Sequence, residues 1–253
     1  MSQDAILDQA EISLNNRDPN GAERVLLQQW PDMSRAPADA QHILAIARMA
    51  QGRANEAEQL MRGAIRVEPN VQRHHIALGH MLMQVGNPQA AIQAYNDAAR
   101  IDRKWPGLLT VLSEAYYRAA RYADAEQVAR ESTSAPTAAA WSALSNALRA
   151  QGKLEGALAA ADEALRIDRT DLNSRHDRGA ALLGLNRAQE ALQIFDTMLA
   201  EGTDLPVLHM NRGLALEALG RKADARAVYE AAARRWPDLP NLRERVAAAR
   251  KRV

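Results

Sequence analysis

Six histidines, His42, His74, His75, His80, His176 and His209, are the side chains of this 253-residue chain best suited to metal chemistry. Helical zinc motifs place two imidazoles at i, i+4 with a third ligand nearby. No two of these histidines have that spacing, no HExxH occurs, and His74 and His80, six apart, fall on different helix faces. A metal site would need assembly across separate segments, and none is expected. Cysteine is absent, which excludes disulfides and thiolate sites and is compatible with a reducing compartment. GxxxxGK[ST], GxGxxG and GxSxG are all missing, so nucleotide binding and serine hydrolysis lack their core geometry. Asp and Glu are plentiful but spread as solvating charge. The residues therefore predict no catalytic constellation, no cofactor and no enzyme activity.

The net charge of +1 gives no global pull toward nucleic acid or an acidic membrane, so neither is expected as a partner. Arginine outnumbers lysine 28 to 4, a ratio that reflects a GC-rich genome more readily than a phosphate-binding task. The opening MSQDAILDQA carries two Asp, no basic residue and no apolar run, unlike a secretory signal. No apolar stretch approaches the roughly 20 residues a membrane helix needs. A cytoplasmic location is expected.

The elements that must position any site are visible as a period. Ala57, Ala91, Ala125, Ala157, Ala191 and Ala225 are spaced 34, 34, 32, 34 and 34 residues apart. A turn position travels five residues ahead of them, at Gly52, Gly86, Ala120, Gly152, Asn186 and Gly220. Such a period marks a repeat array, whose core runs along a stack and whose long surface binds partners. Within 138–171, Trp141, Leu144 and Leu148 form one helical stripe, Gly152 permits a turn, and Leu154, Ala157, Leu158, Ala161, Ala164 and Leu165 form a second stripe. Ten aromatic residues, only one of them Phe, argue against a β-sandwich or barrel core.

Trp141, Leu144, Leu148, Gly152, Ala157 and Ala164 resemble the tetratricopeptide repeat (TPR). Leu78-Gly79, Gly86, Ala91, Tyr95 and Ala98 carry the same pattern, as do Gly213, Leu216, Gly220, Ala225, Tyr229, Ala232 and Pro237. The resemblance implies an all-α fold, a right-handed α-solenoid of stacked helix-turn-helix repeats, in a bacterial-type array. Six repeats are expected, at 38–71, 72–105, 106–137, 138–171, 172–205 and 206–239. Residues 1–37 read as a degenerate N-terminal helix pair. Residues 240–253 read as a C-terminal capping helix with Leu239, Leu242, Val246 and Ala249 inward and Arg243, Arg245, Arg250, Lys251 and Arg252 outward. Trp30, Trp105 and Trp236, each followed by Pro, are expected to plug gaps between repeats. The third repeat is two residues short, and Glu131-Ser132-Thr133-Ser134-Ala135-Pro136 predicts a non-helical link there.

The resemblance also implies a concave groove lined by the first helix of each repeat. Its candidate binding residues are Met49 in the first repeat, Arg73, His80 and Met83 in the second, and Glu114, Tyr117 and Arg118 in the third. Asn146 and Arg149 follow in the fourth, His176 and Asp177 in the fifth, and Asn211 in the sixth. Ile43, Ile46, Met49, Ile76 and Met83 make the N-terminal groove apolar, and unbranched Met adapts to varied partners. Arg118 and Arg149 could together hold a carboxylate, or could instead pair with Glu114 and Asp177. The family's Lys/Asn carboxylate clamp is not matched, since His42 and Ala77 stand at its positions. The expected function is a scaffold that binds a peptide or a partner's helix in the groove. The alternatives are an N-terminal recognition module of a larger transferase or oxygenase, the chain itself ending at Val253 after the cap with no catalytic domain left over, and a self-associating module that forms homo-oligomers.

Overall fold

Alanine- and leucine-rich stripes, interrupted on schedule by residues that accept a left-handed turn, give fifteen α-helices and no strand among the described residues, 2–250 with the Arg250 side chain excepted. The structure is a computed structural model. It divides into two compact units, 1–121 and 122–253. The first holds α1 (Gln3–Asn15), α2 (Pro19–Gln29), α3 (Ala38–Ala50), α4 (Ala54–Val67), α5 (Gln72–Gln84), α6 (Pro88–Ile101) and α7 (Leu108–Arg118). The second holds α8 (Tyr122–Ser132), α9 (Ala138–Ala150), α10 (Leu154–Ile167), α11 (Leu172–Gly184), α12 (Ala188–Ala200), α13 (Pro206–Ala218), α14 (Lys222–Arg235) and α15 (Pro240–Arg250).

The turn between the helices of a pair requires positive φ. It is met at Gly52, Gly86, Gly152 and Gly220 with φ 74–77°, at Ala120 with 57° and at Asn186 with 59°. The recurring alanines are all fully buried, each where a second helix crosses its neighbours with no room for a longer side chain. A second fit recurs sixteen residues apart. A β-carbon added at Gly79, Gly179 or Gly213 would lie 2.3, 2.6 or 2.2 Å from the ring of Tyr95, Phe195 or Tyr229, respectively. All three rings are buried, so each fills the space its glycine leaves in the same helix pair.

Consecutive helices pack against each other inside each unit, in an unbroken series from α1 to α7 in the first and from α8 to α15 in the second. In the first unit Ala10, Ala22, Leu26, Ile43 and Leu44 share one core. In the second, Leu182, Phe195, Met198 and Leu208 join α11, α12 and α13. Leu242 and Ala249 bury one stripe of α15, and Val246 packs with Ala249 against the Tyr229 cluster.

Several expectations need correction. Ile43, read as a groove residue, is buried in the core at 3% exposure, because it faces the cluster built by α1 and α2. Leu239 is 38% exposed, because it precedes α15 rather than belonging to its buried stripe. Trp30 packs on the first core and Trp236 lies 5.3 Å from the His209 ring, but Trp105 is 45% exposed. Helix α6 has already ended at Ile101, so Trp105 lies in a connection that reaches α7 through left-handed Gly107. The expected link after α8 is present: the helix stops at Ser132 and α9 begins at Ala138 with the Thr137 side chain as its N-cap. Helices α7 and α8 have 11 residues each, against 13 or 14 for the other helices between α3 and α14. Lys251 and Arg252 of the expected basic tail lie outside the described residues.

Candidate functional site

Five of the candidate residues come together in the second unit. They project from α9, α11 and α13, the first helices of three successive pairs. Asp177 on α11 is 2% exposed. Its Oδ2 accepts hydrogen bonds from Ser142 Oγ at 2.5 Å and Asn146 Nδ2 at 3.1 Å, both on α9. Asn146 Oδ1 in turn accepts from Arg149 Nη2 at 2.9 Å. On the other side His176 Nδ1 lies 3.4 Å from Asp177 Oδ1, and Asn211 Nδ2 lies 2.9 Å from His176 Nε2. An amide nitrogen only donates, so His176 Nε2 accepts and its proton resides on Nδ1, facing the Asp177 carboxylate. One buried carboxylate thus orients a polar row across three helices, which is how a charge taken out of water is kept satisfied.

Beside this row lies a cleft of about 480 Å³. Arg149, His176 and Asn211 supply its polar groups, and Leu154, Ala180, Leu183, Val207 and Leu214 its apolar lining. An apolar concavity with a few fixed polar groups is the general form of a ligand site. Leu154, Ala180 and Val207 were not anticipated as lining. Leu154 opens a second helix, and Val207 is 43% exposed at the start of α13.

The first-unit candidates are more dispersed. Arg73 is paired with Asp39 across α5 and α3. His80 is exposed and meets the Tyr95 ring edge-on at 5.6 Å, and burial pushes the Tyr95 phenol up. Met49 lines a cavity of about 50 Å³ with Met81, Leu82 and Val85; Met83 is half-buried outside that lining. Glu114 accepts from Arg118 at 2.7 Å within α7, and Tyr117 is half-buried on the same helix. The two arginines read as a joint carboxylate holder therefore each have a partner on their own helix, Arg118 in the first unit and Arg149 in the second.

The first unit also groups residues that linear spacing conceals. His42 and His74 approach Nδ1 to Nδ1 at 2.9 Å. Burial, then the neighbouring His74 and Arg73, push His42 down to about 4. Burial, then Arg73, lowers His74 as well. Asp39, Glu68 and His74 each bring one ligand-type atom within 4.8 Å of the others. The expectation of no metal constellation came from spacing within single helices, whereas these three belong to α3, the end of α4 and α5.

The tetratricopeptide repeat family models match residues 44–107 and 176–240, and 138–171. The chain belongs to the tetratricopeptide repeat family, the class in which stacked helix pairs serve as protein-interaction scaffolds. The sequence matches none of the curated proteins. Among solved structures, a tetratricopeptide repeat protein from Parabacteroides merdae is similar over 97% of this chain and 98% of its own, with TM-score 0.81 and 14% identity. Pseudomonas aeruginosa PilF is similar over 83% of this chain and 97% of its own, with TM-score 0.65 and 18% identity. YrrB, described as a TPR protein with an unusual peptide-binding site, is similar over 76% of this chain and 97% of its own, with TM-score 0.53 and 18% identity. These likenesses establish an α-solenoid fold. No helix among the described residues is long and apolar enough to cross a membrane.

Proposed function

We propose that this chain is a non-enzymatic scaffold that binds an extended peptide of a partner protein on the α9–α11–α13 surface. The observation that carries the reading is the polar row of Asn146, Asp177, His176 and Asn211 beside an apolar cleft. Asn side chains offer both a donor and an acceptor, the pair needed to hold a peptide's backbone. Leu183, Val207 and Leu214 would receive apolar side chains, and Arg149 an acidic one. YrrB, of the same fold, is described as having a peptide-binding site. Ordering an extended peptide opposes binding, so the affinity should be on the order of micromolar. A cytoplasmic setting belongs to the same proposal, since a cysteine-free chain has no need of an oxidising compartment.

A peptide array probed with the full chain, followed by titration of the best binders, tests it. Asn146→Ala combined with Asn211→Ala should weaken those peptides at least tenfold while the fold, followed by circular dichroism, is kept. Unchanged affinity in the double variant would remove this surface from the site.

A further inference from the structure

His74 on α5 is fully buried, and its two ring nitrogens have different surroundings. Nδ1 has His42 Nδ1 at 2.9 Å. Nε2 is buried with no hydrogen-bond partner, and the Glu68 carboxylate stands 3.7 Å from it, beyond hydrogen-bond reach. Glu68 caps the end of α4, and Asp39 lies in the first turn of α3. One oxygen of each, together with one ring nitrogen of His74, lies within a 4.8 Å set.

Either tautomer leaves this nitrogen without a close hydrogen bond. If His42 donates to His74, then Nε2 carries a buried hydrogen, and the Glu68 carboxylate that could accept it stands 3.7 Å away. If His74 donates to His42, then Nε2 presents a lone pair on the side of the Glu68 carboxylate. A cation satisfies all three groups in the second arrangement, and a ring whose other nitrogen donates to a neighbour is the usual form of a metal-bound imidazole. His42 Nδ1 faces His74 Nδ1 at hydrogen-bond distance and can accept that hydrogen. Asp39 also accepts from Arg73, as ligand carboxylates commonly accept from a neighbour. We propose that Asp39, Glu68 and His74 form a binding site for a divalent transition-metal ion of the zinc class, which ties α3 and the end of α4 to α5.

The donor set supports that choice of metal. One imidazole and two carboxylates suit zinc, whereas magnesium and calcium take oxygen alone. Zinc–ligand bonds of about 2.0–2.2 Å in tetrahedral geometry set ligand atoms roughly 3.4 Å apart, so the three groups need to close by about an ångström. Glu68 is exposed at a helix end and can make that movement by side-chain rotation. Water would complete the coordination.

Calorimetric titration of the full chain with Zn²⁺ is the test, with visible absorption of Co²⁺ as a second reading. One saturable ion per chain is expected, with a thermal unfolding midpoint that rises on adding Zn²⁺. Asp39→Asn and Glu68→Gln leave the buried His74 in place. Each should lower the affinity at least tenfold and abolish the Zn²⁺-dependent rise. Equal affinity in the wild type and the double variant, or no saturable binding in the wild type, would overturn the site.

Discussion

Ala120 makes a left-handed turn at φ 57° that glycine makes at four of the equivalent positions. A β-carbon in that conformation costs about 1–2 kcal/mol, part of which glycine gives back through a freer unfolded chain. Ala120→Gly should therefore raise stability by about 0.5–1 kcal/mol, read as a higher urea midpoint. Asn tolerates this region better, so Asn186→Gly should gain less. A second residue-level outcome concerns Glu126, which is 8% exposed. It accepts from Lys153 Nζ at 2.6 Å, Gln151 Nε2 at 2.7 Å and Arg130 Nη2 at 2.5 Å. The Lys153 hydrogen bond first, then Gln151 and Arg130, hold its carboxyl below the ordinary value of 4.5 against the opposing effect of burial. The unfolded chain then takes up this proton at higher pH than the folded one. The contribution is thus present above pH 4.5 and lost as pH falls through and below it. Between about pH 6 and about pH 3, the denaturation midpoint of Glu126→Gln should fall less than that of the wild type.

The helix pair is the element in which sequence and packing agree most closely. Gly213 and Tyr229 belong to one pair, and a β-carbon at Gly213 would stand 2.2 Å from the buried ring. Alanine normally gains about 1 kcal/mol over glycine inside a helix, but here overpacking of about 1–3 kcal/mol opposes it. Gly213→Ala should destabilise, and Gly213→Ala with Tyr229→Leu should recover part of the loss in thermal unfolding. This scale also shows what the sequence made legible. Fully buried alanines and left-handed turns leave marks on residue type, because few side chains satisfy either demand, so the repeating helix pairs could be read directly. Exposure was harder to read: Arg100-Ile101-Asp102 marks a junction, but the letters did not show that Trp105 beyond it stands in water, or that Ile43 turns toward α1 and α2. The site was legible in part. Asn146, Asp177 and Asn211 could be placed on first helices. The partnership of Asp177 with Ser142 is a contact across 35 residues, and that of Asp39, Glu68 and His74 depends on three elements meeting.

At the scale of the whole molecule, stability in a stacked array is carried by neighbour-to-neighbour interfaces. Ala191 is fully buried on α12, and Ala191→Leu should cost about 1–3 kcal/mol by overpacking that crossing. Amide exchange should show the loss of protection in α11 to α13, with α1 to α4 unchanged. An unaltered unfolding midpoint would contradict the crossing. The same architecture separates two kinds of contact by their fate under recombination. Each glycine–aromatic fit lies within one helix pair, so duplication or exchange of a pair carries both halves along. The Asp177 row spans three pairs and has no such portability. Excising the 34 residues from Leu172 to Leu205 would keep the Gly213–Tyr229 fit and bring Asn211 into the register that Asp177 holds. Ser142 would then meet a neutral amide in place of a carboxylate, so a shortened descendant would inherit the scaffold intact and lose the anion that organises its surface.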